Sequence, residues 1–359
     1  MPAPRILFVD LGSHYGGVET YLKGLGNILR PHAEGYALLS LPKLASELRA
    51  QGMTVVCLPI LGSSWLKGVR LLLACFLIPY MLLRFRIRTV QLNGFFESLL
   101  LGPLRLAGCK TVFTMHNPFE TDRYSWLRSP ERFFPRLLSK HSLRFATQVI
   151  CVSEAVGDLA RTILPSDQVK VIANWVDSPP TFRRVFSTSK RPQLLFVGRL
   201  EEYKGVQFIL KAMEQVPEVS LLVVGDGSYR PQLEAAAHGL AVQFAGFQTD
   251  PSRFYKDSTI FVNPSLGPEG LPLVSLEAMA YGLPCLFSDL PVHREITAEG
   301  QAAALFSCGD SDSLARQLRQ LLESETRRQQ HGLAARQLVE QRYNLTGAAR
   351  QYIQAFGLS

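Results

Sequence analysis

The sequence predicts an α/β protein made of two Rossmann-like parallel-sheet domains facing a cleft. Three observations predict it. Short β-like runs alternate with helix-length segments along the whole chain, and return crossings of that length are what parallel strands need. The alternation breaks once, in a Pro-, Ser-, Thr- and charge-rich stretch, and then restarts. Finally, 359 residues that are 47% hydrophobic and 19% charged suffice for two cores. The expected division is residues 1–178, a linker at 179–192, residues 193–342, and a closing segment at 343–359.

In the first half the strands read as RILFVDL (5–11), TVVCLPI (54–60), TVQLNG (89–94), KTVFTMHN (110–117), TQVICVS (147–153) and VKVIAN (169–174). The apolar run before Asp10 is too short for the apolar core of a signal peptide, so a non-secreted protein is expected. In the second half QLLFVGRL (193–200), SLLVVGDG (220–227), VQFAGF (242–247), STIFVNPS (258–265) and PCLFSD (284–289) repeat the pattern. Ligands of such sheets bind beyond the carboxyl ends of the strands.

Those strand ends carry suggestive residues. Gly16 and Gly17 precede a helix, where backbone amides can receive a phosphate or hydroxyl or simply close a turn. Arg199 and Lys204 follow the first strand of the second half, and two cations there suit a diphosphate. Gly225 closes the next strand as a candidate nucleotide edge, with Phe247 and Gln248 beyond it. The stretch GPEGLPLVSLEAMAYG (267–282) reads as a turn and a helix with Pro272 near its start and Gly282 at its end. It places Glu269 before the helix and Glu277 in its second turn. Between them the amides of Gly270, Leu271 and Leu273 line a helix N-terminus. Carboxylates for hydroxyls beside amides for phosphate fit a molecule with a sugar, a diphosphate and a ribose.

Charge is uneven. The chain carries a net +8, and residues 61–150 hold 13 Lys and Arg against 4 Asp and Glu. That region includes WLKGVRLLLACFLIPYMLLRFRIR (65–88), whose uncharged core is short for a membrane span and interrupted by Pro79. Trp65, Lys67, Arg70, Arg84, Arg86, Arg88 and Trp126 are expected to form a basic-aromatic surface for an anionic membrane or lipid-linked acceptor. No nucleic-acid motif accompanies the charge. The six cysteines (57, 75, 109, 151, 285 and 308) form no C-x-x-C pair and are expected to be reduced thiols, mostly in the core. No acid pair of the D-x-D kind stands at a strand end, so no metal is expected.

Taken together, GGVETYL, TMHN (114–117), VICVSEAV (149–156), VGRLEEYKG (197–205), VVGDG (223–227) and PEGLPLVSLEAMAYGLP (268–284) resemble the retaining GT-B glycosyltransferases of the family 4 type, with their E-x7-E motif at 269–277. The resemblance covers nearly the whole chain. It implies that Arg199 and Lys204 hold the donor diphosphate and Glu277 the ribose hydroxyls, while Glu269 and the loop amides hold the transferring sugar. It also implies that His116 contacts that sugar, that Gly16 and Gly17 line the phosphate and acceptor side, that Phe247 and Gln248 lie near the base, and that the last helix returns to the first domain. The chain departs from the family in having Asn117 after the histidine, where aspartate is frequent, and Trp175 in NWVD, where NGVD is common. The resemblance implies metal-independent, retaining transfer from a UDP- or GDP-sugar, and the basic-aromatic region leads to the expectation of a polyprenyl-diphosphate-linked saccharide acceptor, in bacterial surface polysaccharide synthesis at the inner face of the cytoplasmic membrane. A soluble acceptor, a noncatalytic nucleotide-sugar-binding module and a sugar-nucleotide epimerase are the alternatives.

Overall fold

The computed structural model describes residues 3–12, 16–58, 66–94, 96–118, 138, 140–177, 179 and 191–358. Most of the expected linker lies outside them. The chain divides into two compact units, Met1–Asn174 with Thr346–Ser359, and Trp175–Leu345.

The first unit is a seven-stranded sheet. Its strands are β1 (Arg5–Asp10), β2 (Glu34–Leu39), β3 (Thr54–Cys57), β4 (Thr89–Leu92), β5 (Lys110–Met115), β6 (Gln148–Cys151) and β7 (Val169–Val171). Their order is β3-β2-β1-β4-β5-β6-β7, and every pairing is parallel. Helices cover central strands such as β1 on both faces, so Ile6 to Val9 are all buried and the strand reads as an unbroken apolar run rather than an alternating one. The direction of the order reverses between β1 and β4, which opens a crevice at the carboxyl ends of those two strands. The helix Leu345–Phe356 joins this unit from Thr346 onward, with Tyr352 fully buried and the Ala355 carbonyl accepting from Lys110 Nζ at 3.0 Å.

The second unit is a six-stranded parallel sheet of β8 (Gln193–Val197), β9 (Ser220–Val224), β10 (Val242–Gly246), β11 (Ile260–Asn263), β12 (Cys285–Ser288) and β13 (Ala304–Phe306). Its order is β10-β9-β8-β11-β12-β13. Its core joins Leu194 and Phe196 of β8 to Val206, Ile209 and Leu210 of the following helix and to Leu314 and Leu318 of the helix Ser311–Glu323. The reversal of order here falls between β8 and β11.

Two strands, β2 and β13, go beyond those expected from the sequence. β13 has only three residues, and in β2 the apolar run is confined to residues 36–39, so each offers only a short apolar run to mark it as a strand. The cysteines are free. Three of them are buried (Cys109, Cys151 and Cys285), but Cys75 and Cys308 are exposed, which corrects the expectation of mainly core thiols.

Candidate active site

In the second unit the loops after β8 and β11 flank the reversal point, and the candidate residues stand on them. The β8 loop carries exposed Arg199, whose Nη2 donates to Tyr203 Oη at 2.7 Å, and Lys204, whose Nζ lies 5.2 Å from the Tyr203 ring centre. Lys204 Nζ reaches across to Glu269 Oε1 at 2.5 Å, with side-chain exposures of 17% and 7%. The two loops are fastened together by more than this pair. Tyr203 O accepts from Leu266 N at 2.7 Å and Ser265 Oγ at 3.3 Å, and Ser265 O in turn accepts from Ser288 Oγ at 2.6 Å. Close approach requires Gly205, at φ +76, because a Cβ there would run into the Pro264 carbonyl oxygen.

The electrostatics follow from this packing. Burial pushes the Glu269 carboxyl up, but the Lys204 charge and hydrogen bond, with the Ser265 hydroxyl, more than offset it and hold the group below its ordinary value. Among the described residues no such cation pairs with Glu277. Burial raises it to about 6, only partly countered by Tyr255 Oη, which donates to Glu277 Oε2 at 2.8 Å. Tyr255 is itself buried and stacks on Tyr281 at 5.6 Å between ring centres. Glu277 lies in the helix Leu273–Ala280, whose N-cap residue is Pro272 and which no side chain caps, so its first turn offers amides and a positive dipole end beside Gly270 and Leu271. At the neighbouring strand end Gly225, at φ +140, lies so close to the Gly198 carbonyl that no Cβ fits. Phe247 is exposed, and Gln248 Nε2 donates to Ala245 O at 2.9 Å.

In the first unit His116 follows β5, and Asn93 Oδ1 lies 3.3 Å from its Nε2. The Tyr21 ring meets the His116 ring edge-on at 4.6 Å. Burial lowers the His116 imidazole to about 3, so the ring is neutral.

A family model described as Glycosyltransferase Family 4 matches residues 15–178, and one described as Glycosyl transferases group 1 matches residues 178–338. The two models together span residues 15–338, and the chain belongs to the GT-B glycosyltransferase family of the group 1 and family 4 type. Among curated relatives, sulfoquinovosyl transferase SQD2 of Arabidopsis thaliana is 32% identical over 244 residues, which is 63% of this chain and 47% of the relative. The phosphatidyl-myo-inositol mannosyltransferase of Mycobacterium leprae is 32% identical over 225 residues, 56% of this chain and 58% of the relative. The chain thus spans about half the length of the curated relatives it matches. The structure of Anabaena HepE in complex with UDP and glucose has the same fold, with a TM-score of 0.83 at 19% identity over 99% of both chains.

Within this GT-B chain, the second unit brings Arg199, Lys204, Glu269 and Glu277 to the carboxyl ends of one sheet. Three expected residues meet partners within the protein that the sequence did not predict. Arg70, expected on a basic surface, is 2% exposed and its Nη1 donates to Leu11 O at 3.2 Å, because its position on the helix Leu66–Phe85 faces the sheet. The Gly16 amide, expected to receive a ligand, donates to Glu19 Oε2 at 2.6 Å in a helix-capping contact; Gly17 begins the helix behind it. Lys204, expected to present a point charge to phosphate, is also paired with Glu269. Arg84, Arg86 and Arg88 are exposed, Lys67 lies in the first turn of the helix Leu66–Phe85, and Trp65 and Trp126 fall outside the described residues. Sequence reasoning missed Tyr203, Ser265 and Tyr255, which hold the charged groups in place. It also missed buried His293, whose Nδ1 lies 2.8 Å from Ser288 O and which burial lowers to about 4. None has a local motif to announce it.

Proposed function

We propose that the chain is a metal-independent, retaining glycosyltransferase that moves a hexosyl group from a UDP- or GDP-sugar to a lipid-linked saccharide. The observation that carries this reading is the set of Arg199, Lys204, Glu269 and Glu277 around the reversal point of the second sheet, next to an uncapped helix N-terminus. Arg199 and Lys204 would neutralise the departing diphosphate, supplying the charge that a metal ion provides elsewhere. Glu277, ionised above about pH 6, would accept hydrogen bonds from the ribose hydroxyls. Glu269, kept anionic by Lys204, would hold hydroxyls of the transferring sugar and stabilise positive charge developing on its ring.

In this mechanism the bond from the anomeric carbon to the β-phosphate oxygen breaks, and its electron pair leaves with the nucleoside diphosphate. The acceptor hydroxyl oxygen attacks from the face the leaving group vacates, and its proton passes to a phosphate oxygen. No side chain has to act as the base. A UDP donor draws support from HepE, solved with UDP and glucose; lipid acceptors draw support from the relative acting on phosphatidyl-myo-inositol.

The membrane side of the proposal rests on the helix Leu66–Phe85. Leu72, Phe76, Tyr80 and Leu83 are 63%, 76%, 59% and 81% exposed along it, and exposed Arg84, Arg86 and Arg88 follow at its end. Apolar side chains beside cations suit the interface of an anionic bilayer. No helix among the described residues is long and apolar enough to cross a membrane.

Thermal shifts with UDP, GDP and ADP in the presence of a chelator test the reading. A ligand at about a hundredfold over its Kd stabilises by roughly 2.7 kcal/mol. A shift with one nucleotide identifies the donor base, and the anomeric configuration of the product then tests retention. Well-folded protein that shifts with none of them would overturn the proposal.

A further inference from the structure

One side chain in the β8 loop touches both of the cations assigned to phosphate. Tyr203 lies in the short 3₁₀ turn Glu202–Lys204 and is 9% exposed. Its phenol oxygen accepts from Arg199 Nη2 at 2.7 Å, and the Lys204 ammonium stands 5.2 Å from the centre of its ring. Its backbone carbonyl accepts from Leu266 N at 2.7 Å and from Ser265 Oγ at 3.3 Å, which ties the same residue to the loop that carries Glu269. Gly205 follows at φ +76 against the Pro264 carbonyl, so the turn is held close to that loop.

These contacts meet a difficulty that two cations on one loop would otherwise have. Arg and Lys side chains have many rotamers, and their charges repel, so being near in sequence does not make them a fixed pair. Arg199 is exposed, and its bond to Tyr203 Oη uses one of five guanidinium N–H groups and leaves the rest of the planar fork for a ligand. The Lys204 ammonium is held between the Tyr203 ring face and Glu269 Oε1 at 2.5 Å, and the latter bond uses one of its three N–H groups.

We infer that Tyr203 is a positioning residue that fixes Arg199 and Lys204 relative to each other, so that the site selects a nucleoside diphosphate over the monophosphate. The inference rests on the nucleotide-sugar reading for the identity of the ligand. A diphosphate presents two linked phosphate groups and has to meet both cations at once. A single phosphate can be met by either cation alone and does not sense their spacing. Holding both side chains in place before the ligand arrives also removes the cost of ordering them on binding.

Calorimetric titration of the full chain with UDP and UMP, or with GDP and GMP, whichever pair the wild type binds, tests this in Tyr203→Phe. Phenylalanine keeps the ring face for Lys204 and removes the hydroxyl that holds Arg199. Diphosphate affinity should fall about three- to tenfold, the effect of leaving one long side chain to be ordered by the ligand, while monophosphate affinity stays within about twofold. Because the loss runs through Arg199, Tyr203→Phe should change nothing further in Arg199→Ala protein. An unchanged ratio of the two affinities, equal losses for both nucleotides, or additive losses in the double variant would each overturn the inference. Tyr203→Leu removes the ring face as well, and should lower the preference for diphosphate below that of Tyr203→Phe, with or without Arg199. Equal preference in the Phe and Leu variants would overturn the Lys204 half. A well-folded wild type that binds none of the four nucleotides would overturn the transferase reading and this inference with it, whereas binding that Tyr203→Phe leaves unaltered overturns the inference alone.

Discussion

Glu277→Gln should make the ligand-free protein more stable at pH 8 while weakening nucleotide binding. The folded protein raises this carboxyl from an ordinary 4.5 to about 6, with burial the leading cause. A group whose folded value is raised binds its proton more tightly in the folded state. Below pH 4.5 both states are protonated and nothing is lost. As pH rises from 4.5 through about 6 the folded state has to ionise a carboxyl that the unfolded chain ionises readily, and stability falls. The difference corresponds to about 2 kcal/mol above pH 7. Glutamine keeps the volume and lets Tyr255 Oη donate to its amide oxygen, so the 2.8 Å contact need not be lost. For a unit the size of Trp175–Leu345 that free energy moves the melting temperature by about 4–8 °C. Scanning calorimetry of both proteins from pH 4 to pH 8 reads the effect. The gain should be largest at pH 8 and vanish near pH 4. A variant that is equally or less stable at pH 8, or whose gain does not depend on pH, would refute the assignment of Glu277 as a carboxylate ionised at a cost. Added UDP should reverse the order, because only the wild type retains the carboxylate for the ribose.

Lys204→Met leaves Glu269 buried without its cation and should destabilise by about 2–4 kcal/mol at pH 7. Glu269 sits below its ordinary value in the wild type, so its contribution is present above pH 4.5 and is lost as pH falls through the folded value; urea titrations of the two proteins should therefore converge toward acid. Arg199→Ala removes an exposed side chain bonded only to Tyr203 Oη among the described contacts, so stability should stay within about 0.5 kcal/mol while transfer falls below detection; unchanged turnover would remove Arg199 from the diphosphate site. Charge reversal at Arg84, Arg86 and Arg88 should abolish sedimentation with vesicles containing phosphatidylglycerol and leave hydrolysis of the donor intact. Sedimentation equal to wild type would exclude that end of the helix as the membrane surface.

The sequence by itself determined the architecture and most of the charged groups. Unbroken apolar runs such as RILFV mark strands covered on both faces, and their spacing by helix-length segments requires parallel crossings; these are local properties of the chain. The placement of Arg199, Lys204, Glu269 and Glu277 at strand ends was legible for the same reason. Pairing was not. Lys204 and Glu269 are 65 residues apart and meet only because β8 and β11 are neighbours at the reversal of strand order. Tyr255 reaches Glu277 across 22 residues, and its hydrogen bond only partly offsets the burial that raises that carboxyl to about 6. Arg70 shows the converse. Its neighbours in sequence give a basic-apolar pattern that reads as surface, yet the rotation of the helix Leu66–Phe85 against the sheet buries it while leaving Phe76 and Leu83 in solvent. Residue type and spacing fix what chemistry the chain can offer. Which groups are charged, neutral or paired follows from burial and from contacts between distant segments, and those exist only once the sheets have formed.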